Sequence, residues 1–188
     1  TIALLTFFFF SAIMALSLNL EYGVAGIPNF GKALFVSLGA YSAGWSYTHL
    51  LPWLAGRDFI EPCSGSTLGQ ALQLRSEIMK TLPTAALGNF VLTLLIAMLV
   101  GGIVGWLASY PALRLKEEWY LALVLLVGGE VVRIIVRGTP FPICGDNGLS
   151  AIAQPLAWLP DRQMRAIGFM LLVLAIGAAV YLYVERLT

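Results

Sequence analysis

Five apolar runs separated by four polar connections organise the chain. The first run, residues 2–20, carries no charge and includes Phe7 to Phe10. The second, 33–54, ends among Trp45, Tyr47 and Trp53, rings that suit the headgroup layer of a bilayer. The third spans 84–108 and is followed by Tyr110 and Pro111. The fourth, 119–136, contains Glu130 and Arg133, and the fifth, 166–184, is closed by Glu185 and Arg186. Runs of roughly 18 to 25 residues, at about 1.5 Å per residue, cross a hydrocarbon core about 30 Å thick. Lipid offers the backbone no hydrogen bonds, and these runs lack the alternation of barrel strands, so helices are required. The expected fold is all-α: a polytopic integral membrane protein of about five transmembrane helices, in a single domain over residues 1–188.

The connections refine that picture. Residues 21–32 hold Gly23, Gly26, Pro28 and Gly31, so one apolar helix stops at a broken-helix segment before another resumes. Residues 55–83 are long and polar. Within them Leu68, Leu72, Met79 and Leu82 fall on one helical face behind Ser66 or Thr67 as a cap, the pattern of an interfacial helix lying on the membrane surface. Residues 111–118 are short and charged, and 137–165 contain Pro140, Pro142, Pro155 and Pro160.

Composition agrees with a membrane setting. The chain is 59% hydrophobic and only 11% charged, against about 25% charged residues in soluble domains. A net charge of +1 with no basic face gives no reason to expect nucleic acid. One histidine and two cysteines argue against a metal cluster. There is no phosphate-binding loop of the Walker type, and Ser64 and Ser66 have no histidine or acid at useful spacing. The reading is therefore not an enzyme, and no cofactor is expected. The first residue is Thr1 rather than Met, so a fragment of a longer protein is expected. The stretch to Leu20 lacks a basic leader and a cleavage signal, and reads as a helix.

Two groups of residues are candidates for function. Asn19, Gly23, Gly26, Asn29, Gly31 and Lys32 surround the break. Irregular backbone at membrane depth is tolerated only inside protein or beside a water-filled path, which suggests a translocation element. An ordinary loop with a close-packed helix behind it fits the same spacing. Glu130 and Arg133 lie three apart on one helical face. A lone charge there is costly, so each is expected to pair with the other or with another helix, as a gate, a path lining or a structural ion pair. Gly128 and Gly129 would admit a close neighbour, and Gly101 and Gly105 form a GxxxG motif whose simplest meaning is helix packing. His49, at a helix end, reads as an interfacial side chain.

Residues 19–41, NLEYGVAGIPNFGKALFVSLGAY, resemble a signature of the LivM-type permeases of branched-chain amino-acid ABC transporters. The segment PALRLKEEWYLALVLLVGGEVVRIIVRG, followed by CGDNGLSAI, resembles the same family's second signature: a turn at Pro111 to Lys116, then Gly129, Glu130 and Arg133, then Gly145 to Leu149. The resemblance implies a permease subunit in a prokaryotic cell membrane, forming half of a translocation path for branched-chain amino acids. It also implies a second permease, two ATP-binding subunits that carry the ATPase activity, and an external solute-binding protein facing Gly145, Asp146, Asn147 and Gly148. Ile27, Asn29, Lys32 and Asp146 stand where the family commonly has Gln, Ser, His and Pro. Those departures keep urea or another small polar solute open as the cargo. A stand-alone channel or secondary carrier is the competing class. The family continues past its counterpart of Glu185, Arg186 and Leu187 into a cytoplasmic coupling loop, and Thr188 stands at about that point.

Parity places 55–83 and 137–165 on one side, with Arg57, Arg75, Lys80, Arg137, Arg162 and Arg165. The other side has Lys32, Arg114, Lys116 and Arg186. Counting charges puts the long connections in the cytoplasm, whereas the resemblance puts them outside; long loops weaken the charge rule. Cys63 and Cys144 then share an external, oxidising face, where a disulfide or two free thiols are both chemically allowed.

Overall fold

The computed structural model describes residues 2–24, 26, 29–114, 118–139, 144, 145, 148, 149, 152 and 156–187. Among these, all regular structure is helical: α1 (Ile2–Leu18), a π-helical turn (Asn19–Val24), α2 (Lys32–Leu54), α3 (Gly65–Thr81), α4 (Pro83–Arg114), α5 (Glu118–Gly138) and α6 (Arg162–Leu187). Four stretches among the described residues are long and apolar enough to cross a membrane: Ile2–Val24, Pro83–Tyr110, Trp119–Gly138 and Arg162–Leu187. Helix α2 has 23 residues, a rise of about 34 Å. It carries Ser37, Ser42, Ser46, Thr48 and His49, and composition sets it apart from the four.

Proline placement explains two boundaries. Leu82 leaves the helical region at φ −125° and ψ 74°, because the ring of Pro83 disfavours α geometry in the residue before it. Pro83 then opens α4, where a missing N–H leaves no helical bond unmade. The turn expected at 111–116 begins as helix: α4 continues through Pro111 to Arg114, and residues 115–117 lie outside the described residues.

The chain divides into two compact units, Thr1–Asn29 with Leu159–Thr188, and Phe30–Trp158. In the first, α1 packs on α6. The rings of Phe10 and Phe169 lie 6.2 Å apart, and further along both helices Gly177 faces Ile13. The contacts advance together, so the two helices run in the same sense. Phe169, buried Val173 and Gly177 recur every four residues, which makes one packed face of α6. Helix α1 has no buried residue, and Phe7 and Phe8 are exposed, as a lipid-facing helix requires.

In the second unit α2 packs on α4 and α5, and α3 packs on α4. Leu51, Ile78, Met79, Ala86 and Ala157 form its apolar core. Beside that core the polar residues turn inward: Ser46, Thr48, Asn89 and Thr93 are buried. The three hydroxyls bond to carbonyls of their own helices, Ser46 to Ser42, Thr48 to Trp45 and Thr93 to Phe90. The outer face of α4 shows Leu95, Met98 and Leu99 instead.

Helix α3 forms where an interfacial helix was expected, but its start differs. The N-cap position is Ser64, in extended geometry, not Ser66 or Thr67. The buried face is Ala71, Arg75, Ile78 and Met79, while Leu72 and Leu82 are exposed. Arg75 sets that rotation. Its Nη2 donates to the carbonyls of Ile60 at 3.1 Å and Thr48 at 3.4 Å, tying α3 to the preceding loop and to α2. Burial lowers the Arg75 pKa from its ordinary value, and nearby Tyr47 opposes the shift. His49 is held by packing: its ring stacks 4.4 Å from Phe59 and 4.6 Å from Trp45.

Cys63, just before α3, is joined to Cys144, with Cα atoms 4.8 Å apart across 81 residues of sequence. A cross-link of this kind stabilises a fold by about 2–4 kcal/mol. Both cysteines are therefore expected to resist alkylation in the unfolded, unreduced protein and to react once reduced. Intact-mass measurement reads this directly, and an adduct before reduction would contradict the bridge.

Candidate functional site

A pocket of about 310 Å³ opens between the start of α2 and the second half of α5. Phe30, Leu34, Ser37 and Tyr41 form one wall, spaced three and four apart along one face of α2. Leu126, Gly129, Glu130, Arg133 and Arg137 repeat the same spacing on α5. The helices are pinched together beneath it. A Cβ at Gly31 would collide with the Leu125 side chain and lie 2.7 Å from its backbone carbonyl. One turn further, Leu34 faces Gly128 and Gly129, where an added Cβ would lie at ordinary contact distances from it. Gly31 with Leu125, then Leu34 with Gly128 and Gly129, rise together, so α2 and α5 also run in the same sense. The first turn of α2 is thus level with the middle of the Trp119–Gly138 span, not with its end. The ring of Phe30 reaches back to Trp119, at 6.1 Å.

Glu130 and Arg133 pair with each other across this pocket wall. Arg133 Nη1 donates to the Glu130 carboxylate at 3.2 and 3.4 Å. Both side chains are more than half exposed, 57% for Arg133 and 61% for Glu130. In water such a pair contributes about 0–1 kcal/mol. On a membrane span the exposure matters more than the pairing, because lipid cannot solvate either charge. Ser37 and Tyr41 line the opposite wall, the Ser37 hydroxyl donating to the Leu34 carbonyl of its own helix.

The other residues singled out in the sequence fall elsewhere. Asn19, Gly23, Gly26 and Asn29 belong to the first unit, and Gly31, Lys32, Glu130 and Arg133 to the second. Of the latter, Gly31, Glu130 and Arg133 line the pocket, and Lys32 is the first residue of α2. In the first unit Asn29 Nδ2 donates to Glu21 Oε2 at 2.7 Å, and the Asn19 carboxamide lies over Gly23. Gly26 has φ +73°, a conformation open to glycine. Gly145 and Gly148 have φ +53° and +67°, and the Gly148 N–H donates to the Gly145 carbonyl. Asp146 and Asn147 lie outside the described residues. That loop is anchored on both sides, by the disulfide at Cys144 and by Leu149 against Gly44. Sequence reading missed Ser37, Tyr41 and Arg137, and the partner role of Glu21. The signal for the first three was present: Arg137 is one turn beyond Arg133, and Ser37 and Tyr41 continue the Phe30–Leu34 face. Gly101 and Gly105 meet no other side chain in the described structure.

The chain matches the family model described as branched-chain amino acid transport system, permease component, over residues 1–187. It is 37% identical over 177 residues to a probable branched-chain amino acid transport permease protein LivM of Methanocaldococcus jannaschii. That alignment covers 93% of this chain and 49% of the relative. It is 30% identical to the high-affinity branched-chain amino acid transport system permease protein LivM of Salmonella typhimurium, and 29% to that of Escherichia coli. Each of these alignments covers 76% of this chain and 25% of the relative. The chain thus spans about half the length of one relative and a quarter of the other two. No solved structure matches it.

The geometry separates two glycines that look alike in sequence. Gly31→Ala places a methyl against backbone, which cannot yield, and is expected to destabilise the protein by about 1–3 kcal/mol. Gly129→Ala meets Leu34 at 3.8 Å and beyond, and is expected to be neutral or slightly stabilising through its better helix propensity. Thermal unfolding of the two variants in the same detergent checks this. Equal effects would contradict the pinch at Gly31.

Proposed function

From the premise that this chain belongs to the family of branched-chain amino acid transport permease components, we propose that it is part of a permease subunit of an ABC importer, contributing half of the path for branched-chain amino acids across a prokaryotic cell membrane. The observation that carries the reading is the family match across residues 1–187. The structure supports it with a charged pair exposed on a membrane-crossing helix, beside a pocket that begins at mid-span. In this reading the chain supplies a path and no covalent chemistry. ATP hydrolysis occurs on two partner ATPases, a second permease completes the path, and an external binding protein delivers solute near Gly145 and Gly148. Differential affinity of the partners for two conformations moves the path between inward- and outward-open states.

The same reading has five crossings, with α2 as the fifth. Two features support it: α1 and α6 run in the same sense, and so do α2 and α5. An odd number of crossings makes first and last helices parallel. Only α4 and α5 cross between Cys63 and Cys144, so both cysteines share a side whatever α2 does. Disulfides persist in oxidising compartments, which favours the external face for that side. This orientation runs against the plain charge count and leaves Glu185 and Arg186 facing the cytoplasm.

Uptake by the complete transporter tests the proposal. Proteoliposomes holding the full-length permease, its partner permease and the ATPases are expected to accumulate leucine only with ATP inside and binding protein outside. Accumulation by the permease alone, without nucleotide, would contradict the proposal and favour a stand-alone carrier.

A further inference from the structure

We propose that the pocket between α2 and α5 is a binding site for a small zwitterion with an apolar side chain, its carboxylate held by Arg133 and its ammonium by Glu130. The inference rests on the permease reading and deepens it. In the structure Arg133 and Glu130 answer each other at 3.2 Å, so this pair is electrically balanced. A zwitterion entering between them replaces one ion pair by two and adds no net charge. A carboxylate matches the planar fork of a guanidinium, and an ammonium offers donors to a carboxylate. Leu34, Leu126, Val132 and Val136 supply apolar lining to the same space, beside Ser37, Tyr41 and Arg137. Its volume, about 310 Å³, is at the small end of ligand pockets, which run from about 300 to 1,000 Å³.

Balance also gives selectivity. A solute with only one charge breaks the Glu130–Arg133 pair and leaves one arm without a counter-charge beside lipid, where a lone charge is costly. Removing an arm should therefore do more than weaken binding: it should change which ligand is preferred.

The test is binding to the full-length permease in nanodiscs, with three isosteric probes read by ligand-observed NMR. Leucine carries both charges, 4-methylpentanoate lacks the ammonium, and leucinol lacks the carboxylate. The wild type is expected to bind leucine at least about tenfold more tightly than either analogue, the loss of one charge-assisted contact. Glu130→Gln is expected to shift preference toward 4-methylpentanoate, and Arg133→Gln toward leucinol. A merely structural ion pair would lower all three together. Equal binding of the three probes, or loss without a switch in preference, overturns the inference. Absence of leucine binding while the assembled transporter still shows ATP-dependent uptake overturns the site and leaves the permease reading standing. Absence of ATP-dependent uptake of any branched-chain amino acid overturns the permease reading itself.

Discussion

The contact of Gly31 with the backbone of Leu125 is the constraint on which the site depends. No other residue type fits between the first turn of α2 and α5 at that distance. Because they meet there, α2 begins level with the middle of the α5 span. The space beside that contact is the pocket lined by Glu130 and Arg133. A larger side chain at 31 would separate the helices and lose the register that sets Ser37 and Tyr41 opposite the charged pair.

A second constraint comes from the solvent. In the unit holding the pocket, hydroxyls and the Asn89 carboxamide face inward, while Leu95, Met98 and Leu99 face outward. Lipid is as apolar as leucine, so burying leucine between helices gains little there, and packing and polar contacts hold the helices instead. At the α3 end of this unit the logic reverts to that of a soluble protein. Leu51, Ile78, Met79 and Ala86 form an apolar core, Arg75 is fastened to two carbonyls, and a disulfide ties the loop before α3 to the Gly145–Gly148 turn.

Much of this was legible in the sequence. Apolar runs gave the helices within a few residues, because lipid leaves the backbone no alternative. The break after Val24 was visible in its glycines and proline. The spacing left Glu130 and Arg133 to pair with each other or with another helix, and they pair with each other; Gly129 marked a close neighbour, which proved to be Leu34. The rest was hidden for identifiable reasons. Periodicity cannot tell a lipid-facing stripe from a packed one, so the Leu68, Leu72, Met79 and Leu82 stripe did not reveal that Ala71, Arg75, Ile78 and Met79 pack inward. Pro111 looked like a stop, but a proline bends or interrupts a helix without always ending it. Ser37 and Tyr41 were overlooked because a serine or tyrosine among apolar residues means little until the opposing helix is known.

As part of the proposed path, the α2–α5 pocket is expected to be reachable by water when the protein sits in a bilayer. Single cysteines at Ser37 and Val132, which line the pocket, and at Met98, which is 65% exposed on the outer face of α4, separate it from a lipid-facing surface. The full-length permease in lipid is treated with a charged, water-soluble thiol reagent, the native pair being protected by its disulfide. Ser37→Cys and Val132→Cys are expected to react, and Met98→Cys to stay unmodified until the bilayer is dissolved. Protection of both pocket cysteines in the membrane would contradict the account.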